Sequence, residues 1–248
     1  MTTSSLAPAG TYSVANARRF GWASVSTLNT ERVDLLARYV IGPRVLDAGC
    51  GGGGYVDHLC RRGLDATGVD KHGMFLDLAA ERGLAGRFVQ ADLTERLPFP
   101  DGWFDTTFCF DVLEHVDDVA ALRELARVTR SRLIVTVPRD GSRLEEDYHL
   151  LLPPYKDATH LRYYSEDMVR ELAATVHPSS VTIRPEGLVE VRRFIRDYGS
   201  PRSRWPVLGG LYRRAFDFLT RRMPASDLSI NWLAVIDLGV PLPAGGGV

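Results

Sequence analysis

Val45-Leu46-Asp47-Ala48-Gly49-Cys50-Gly51-Gly52-Gly53-Gly54 is the stretch on which the fold turns. A short apolar strand runs into an acid and then a glycine run, and Tyr55 to Arg62 follow at helical spacing. Glycine adopts positive φ without strain and lets the backbone approach a ligand with no Cβ in the way. The helix that the turn opens offers amide donors without partners of their own. A nucleotide-like cofactor is the natural occupant of a strand-turn-helix crevice of this kind.

Outward from this loop, short apolar runs alternate with amphipathic ones. Strands are expected at 66–69, 87–90, 104–110 and 132–137, and helices at 74–82 and 119–129. Apolar strands linked by helical crossovers form a parallel sheet covered on both faces, so the fold class is a doubly wound α/β sheet. Ahead of the loop, residues 1–43 read as a leader and a helical cap, with Asn29-Thr30-Glu31 starting an amphipathic helix that Ile41-Gly42-Pro43 stops. Residues 44–248 read as the main domain, with substrate-side insertions at about 139–164 and 185–229. Ser165 is expected to cap a helix through Val176. Val181 to Arg184 and Ile230 to Leu238 are expected as strands, and 208–219 as an amphipathic helix.

The 248-residue chain, of which 45% is hydrophobic and 25% charged, is the size of one large globular domain. No segment approaches the roughly 18 apolar residues of a membrane span, and Met1 to Gly10 lacks the basic start and apolar run of a signal peptide. Three cysteines without a CxxC pair suit a reducing compartment, and a cytoplasmic location is expected. The net charge of -1 gives no general reason to expect nucleic acid or stable membrane insertion. Its distribution is uneven: residues 184–222 hold ten arginines and four acids, which leaves the rest of the chain strongly negative.

Gly49, Gly51 and Gly54 satisfy GxGxxG, and Asp70 lies where a dinucleotide fold places its ribose acid, so an NAD-dependent oxidoreductase is one reading. Three further features point elsewhere. Asp47 stands two residues before the first glycine, where a dehydrogenase usually keeps an apolar side chain. Asp92 follows the third strand. Leu97-Pro98-Phe99-Pro100-Asp101-Gly102-Trp103-Phe104-Asp105 then leads into Asp111-Val112-Leu113-Glu114-His115-Val116. With these motifs in this order, Val45 to Pro138 resembles the class I S-adenosylmethionine (SAM)-dependent methyltransferases, in particular the broad branch that includes ubiquinone-pathway O-methyltransferases.

The resemblance implies a seven-stranded, mostly parallel Rossmann-like sheet with a final antiparallel strand and a helical insertion. It implies SAM as cofactor and a small-molecule acceptor, of sugar, natural-product, quinone or lipid type, methylated on oxygen or nitrogen. It places Gly49, Gly51 and Gly53 beneath the methionine and ribose of SAM, and Asp47 beside the loop and the ammonium. Asp70 accepts the ribose hydroxyls, and Lys71 and His72 border the adenine. Asp92 and Leu93 meet the adenine edge, and Asp111 faces the methionine end or the acceptor. Aspartate at a strand-to-helix junction also serves as a helix cap, so Asp70 and Asp92 each carry that second reading.

An oxygen acceptor of high pKa needs a base or a metal. Histidine basicity near neutrality makes His115, His149 and His160 the candidate catalytic residues. Asp111, Glu114, His115 and His160 also resemble the E-x-x-E-H arrangement, with a later histidine, of metal-assisted small-RNA 2′-O-methyltransferases and some quinone O-methyltransferases. Aspartate replaces the first glutamate here, and packing of Glu114-His115 without a metal is the preferred reading. An RNA 2′-O-methyltransferase and a SAM-binding protein without catalysis are the remaining alternatives. Tyr148, Tyr155, Tyr163, Tyr164, Trp205 and Tyr212 offer flat surface for an acceptor or for packing.

Overall fold

The computed structural model describes residues 28–84, 87–141, 159–188, 196, 206–221 and 229–239, without the side chains of 82, 84 and 206–209. In chain order the elements are α1 (Thr30–Tyr39), β1 (Arg44–Ala48), α2 (Gly54–Arg61), β2 (Asp65–Asp70) and α3 (Gly73–Ala79). After them come β3 (Phe88–Gln90), β4 (Phe104–Phe110), α4 (Asp118–Val128), β5 (Thr129–Pro138) and α5 (Glu166–Ala174). The last are β6 (Ser180–Leu188), α6 (Pro206–Thr220) and β7 (Ser229–Asp237).

Seven strands form one sheet in the order β3-β2-β1-β4-β5-β7-β6. The first five pair in parallel, and β7 runs antiparallel to both β5 and β6. This is the mostly parallel, doubly wound Rossmann-like sheet with its antiparallel last strand. The chain leaves β1 toward β2 on one side and later returns to β4 on the other. The crevice therefore opens where β1 and β4 lie side by side, outside their carboxyl ends.

The central strands are buried on both faces, which is why they read as nearly continuous apolar runs. Leu46, Leu133, Val135 and Leu125 join one core cluster, while Val45, Phe108, Ile134 and Leu36 join another. Two layers of helix packing on one sheet are thus filled from opposite faces of the same strands. Capping follows the sequence signals: Asn29 Oδ1 accepts from the Glu31 amide at 2.9 Å, and Ser165 Oγ accepts from the Met168 amide at 3.2 Å. Arg127 ties the 97–101 segment to α4 by donating to the carbonyls of Leu97 and Phe99, at 3.1 and 2.9 Å.

Several boundaries differ from the sequence expectation, β5 for one starting at Thr129 rather than at 132. The helix expected over 74–82 ends at Ala79 and continues as a π turn, Ala80–Leu84, in which Gly83 takes a φ of +74°. The helix backbone cannot pass through that left-handed residue unchanged. The segment expected as an insertion from about 185 starts instead as strand, because β6 stays paired with β7 as far as Leu188. That extension carries Glu186 into the sheet, 2% exposed. The helical pattern before residue 28, the loop 147–155 with Tyr148 and Tyr155, and Trp205 lie outside the described residues.

Truncating Ile134 to Ala, at a position with no solvent exposure, is expected to lower the unfolding free energy by about 2–5 kcal/mol. Leu188→Ala, at a side chain 64% exposed, is expected to change it by less than about 0.5 kcal/mol. Urea titration of both variants checks the contrast.

Candidate active site

The glycine loop turns sharply after β1. Gly49, Gly51 and Gly53 have φ values of +84°, +49° and +74°, a region that glycine enters without a Cβ penalty. The amides of Gly49 and Cys50 both donate to the Val69 carbonyl at 2.7 and 2.9 Å, locking the loop to the end of β2. A methyl group added to Gly49 would overlap Val112, and one added to Gly53 would overlap the Phe88 ring. The loop is closely packed from behind, so its open side is the crevice.

Asp47 lies at the floor of this loop, 4% exposed, and its Oδ2 has no hydrogen-bond partner. Burial, and then the neighbouring Asp70 carboxylate, push the Asp47 carboxyl well above its usual range. Asp70 ends β2. Its Oδ2 accepts from the Gly51 amide at 3.0 Å, and its Oδ1 accepts from the His72 amide at 2.8 Å and lies 3.2 Å from His72 Nδ1. With the Gly51 amide as its one partner, Oδ2 keeps a further lone pair for a ligand hydroxyl. Lys71 follows, its carbonyl accepting from Gln90 Nε2 at 3.0 Å.

Asp92 and Leu93 stand after β3. Burial raises the Asp92 carboxyl, but the amide and hydroxyl of Thr94, at 2.9 and 2.8 Å, together with Lys71 and His72, more than offset this and hold it below its usual range. No helix follows Asp92 directly, so the aspartate closes a local turn rather than capping a helix. Leu93 is buried beside it, 6% exposed.

Asp111 follows β4 with a φ of +55°, a conformation that is uncommon outside glycine. Its Oδ1 accepts from Thr136 Oγ1 at 2.9 Å and Asn231 Nδ2 at 3.3 Å, and its Oδ2 accepts from Arg32 Nη2 at 2.6 Å. Arg32 also donates through Nε to Glu186 at 3.2 Å, and Asn231 donates to the other Glu186 oxygen at 2.8 Å. Burial alone would lower the Arg32 pKa, but Asp111 and Glu186 outweigh it and raise it. The guanidinium lies 5.2 Å from the Phe110 ring centre. Arg32, Glu186 and Asn231 were not singled out from the sequence. Their partnership spans 154 positions between Arg32 and Glu186, and no local pattern signals it.

The turn Leu113–His115 carries Glu114 and His115, and residues 159–164 lie against it through the Leu161 amide, which donates to the Glu114 carbonyl at 2.8 Å. Glu114 Oε1 is 4.0 Å from His115 Nε2 and 3.9 Å from His160 Nε2. The two imidazoles meet edge to face with centres 4.7 Å apart. Thr159 Oγ1 is 2.8 Å from His115 Nδ1 and orients that ring. Donor atoms of Glu114, His115 and His160 all lie within 4.8 Å of one another. Asp111 is not in this group, because Arg32, Thr136 and Asn231 hold its carboxylate. His149 lies outside the described residues. Tyr164, considered as acceptor surface, is instead 1% exposed, and its hydroxyl donates to Asp118 at 2.9 Å.

Residues 46–135 match the family model described as a methyltransferase domain. Over 104 residues the chain is 38% identical to the ubiquinone biosynthesis O-methyltransferase of Xylella fastidiosa (strain 9a5c), covering 38% of this chain and 41% of that one. Over 156 residues it is 30% identical to the malonyl-[acyl-carrier protein] O-methyltransferase of Serratia marcescens, covering 57% of this chain and 61% of the relative. The chain therefore spans about two fifths of the length of the ubiquinone-pathway relatives it matches. The crystal structure of a SAM-dependent methyltransferase from Archaeoglobus fulgidus superposes with a TM-score of 0.61 at 18% identity, over 91% of this chain and 99% of that one. A Haemonchus contortus phosphoethanolamine N-methyltransferase 2, solved with phosphomonomethylethanolamine and S-adenosylhomocysteine, gives 0.61 at 18% identity, over 92% of this chain and 58% of that one.

Because the folded-state pKa of Asp47 exceeds the unfolded value, the folded protein binds that proton more tightly. Stability contributed by this group therefore falls as pH rises past the unfolded carboxyl value of about 4. Asp47→Asn keeps the shape and removes the charge. Its urea midpoint is expected to exceed that of the unsubstituted protein at neutral pH and to lose that advantage below about pH 4.

Proposed function

We propose that this chain, whose residues 46–135 match a methyltransferase domain model, is a class I SAM-dependent methyltransferase that transfers a methyl group from SAM to an oxygen or nitrogen of a small-molecule acceptor. One observation carries the cofactor assignment: a buried carboxylate oxygen without a partner, Asp47 Oδ2, lies beneath a loop of left-handed glycines beside a second carboxylate, Asp70. Such a floor suits a ligand bearing a cation and hydroxyl groups, because an unpaired buried carboxylate is stabilised by a cation.

In this reading Asp47 receives the amino-acid ammonium, and Gly49, Gly51 and Gly53 line the loop. Asp70 accepts ribose hydroxyls beside Lys71, and Asp92 and Leu93 bound the adenine. When bound, the cofactor supplies an electrophilic methyl group on a sulfonium. The protein's part is alignment of the acceptor, exclusion of water and handling of a proton. Arg32 and Asp111 stand at the acceptor side of the crevice and orient polar groups there. For a hydroxyl acceptor, His115 or His160 takes the proton, and the buried Glu114 carboxylate beside them stabilises the imidazolium.

The clustering of Glu114, His115 and His160 favours a second reading, in which these three side chains hold a divalent metal that polarises the acceptor oxygen. One carboxylate and two imidazoles suit Mn²⁺, Fe²⁺ or Zn²⁺ better than Mg²⁺. Elemental analysis and turnover in EDTA separate the two. Unchanged turnover after chelation leaves proton transfer by the histidines. Turnover lost on chelation and restored by Mn²⁺, with bound metal that His160→Ala no longer retains, establishes the metal.

The cofactor assignment is tested by calorimetry with S-adenosylhomocysteine and with NAD. Binding of S-adenosylhomocysteine is expected, weakened about tenfold to a hundredfold in Asp70→Ala as charged hydrogen bonds to the ribose are lost. Binding of NAD with none of S-adenosylhomocysteine contradicts the proposal.

A further inference from the structure

Residues 184–222 concentrate positive charge, ten arginines against four acids. Within them, α6 exposes large apolar side chains: Leu211 is 57% exposed, Phe218 62% and Leu219 76%. With the exposed Ala215 they fall at i, i+4, i+7 and i+8 and so share one face of the helix. Arg214 and Arg221 are exposed along the edge of that face, and the Arg221 guanidinium lies 4.5 Å from the Phe218 ring centre. Asp217 is the single acid of α6, and Arg196 neutralises it at 3.0 Å. One edge of the apolar face is therefore cationic.

We propose that α6 docks the protein peripherally on an anionic lipid bilayer. Leu211, Phe218 and Leu219 enter the boundary between headgroups and acyl chains, and Arg214 and Arg221 pair with lipid phosphates. An apolar face with arginine along its edge is the pattern of helices that lie in a membrane interface. Among the described residues no helix is long and apolar enough to cross a membrane. Two alternative occupants fit less well. A second copy would bring the arginines of both helices together, and like charges repel across an interface. Nucleic acid would pair with the arginines but leave the large apolar side chains uncovered. The strongly negative remainder of the chain also orients the α6 face toward an anionic surface. This inference does not depend on the methyl-transfer reading.

The test is co-sedimentation of the full chain with vesicles of phosphatidylcholine alone and with about one third phosphatidylglycerol. Binding to the anionic vesicles is expected, at least about tenfold weaker to the neutral ones and falling as salt is raised. Arg214→Glu with Arg221→Glu, and separately Leu211→Ser with Phe218→Ser and Leu219→Ser, are each expected to lower partitioning by about tenfold or more. These are exposed positions, and an unchanged far-ultraviolet dichroism spectrum shows that each variant folds. If the serine variant does not fold, the arginine variant decides. Equal binding to both vesicle types, no binding to either, or variants that bind as the unsubstituted chain does would overturn the proposal. So would a dimer that the serine variant dissolves while vesicles are ignored.

Discussion

A carboxylate oxygen buried without a hydrogen-bond partner is an expensive feature, and Asp47 Oδ2 is one. It is the penultimate residue of β1, just before a loop pinned by two amides to the Val69 carbonyl, so the loop cannot relax to solvate it. The neighbouring Asp70 raises the cost, because two carboxylates share a small, poorly solvated space. A protein keeps such an arrangement where something else completes it. The glycine conformations, the orientation of Asp70 and the open side of the crevice all follow from where Asp47 sits in the sheet.

The second half of the site is held from a distance. Asp111 takes a left-handed backbone conformation that aspartate adopts seldom, and three donors from three separate elements hold its side chain. Arg32 reaches it from α1, before the sheet begins, and Glu186 and Asn231 brace Arg32 and Asp111 from β6 and β7. One partly buried charge network thereby joins the first described helix to the last two strands of the sheet. Breaking one partner of such a network leaves an uncompensated charge, so these residues act as a unit. Beside them, Glu114 and two imidazoles are brought together by the turn after β4 and the segment after residue 158.

Much of this was legible in the sequence because it is local. The glycine run, the apolar strands and the caps at Asn29 and Ser165 are each written within a few residues, and sheet and helix periodicity extend them to a fold. The positions of Asp47, Asp70 and Asp92 follow once strand ends are located, since parallel strands deliver their carboxyl ends to one side. What was not legible depends on distant pairing. The last residues of β6, which contain Pro185 and Gly187, look like the start of an insertion and become strand only because β7 offers partners. Arg32 resembles any arginine on an amphipathic helix, and Glu186 any acid in a loop. Only the three-dimensional fold shows that Asp111 is bound to Arg32 and so stands apart from the cluster of Glu114, His115 and His160.

The account stands on Asp47 completing its charge with the amino-acid ammonium of the cofactor. The most direct measurement compares two ligands on two proteins: S-adenosylhomocysteine, which carries that ammonium, and methylthioadenosine, which lacks it, each titrated into the unsubstituted chain and Asp47→Asn. The homocysteine ligand should lose about tenfold or more in affinity on substitution while methylthioadenosine binds unchanged. Equal losses for both ligands, or none for either, would contradict the account.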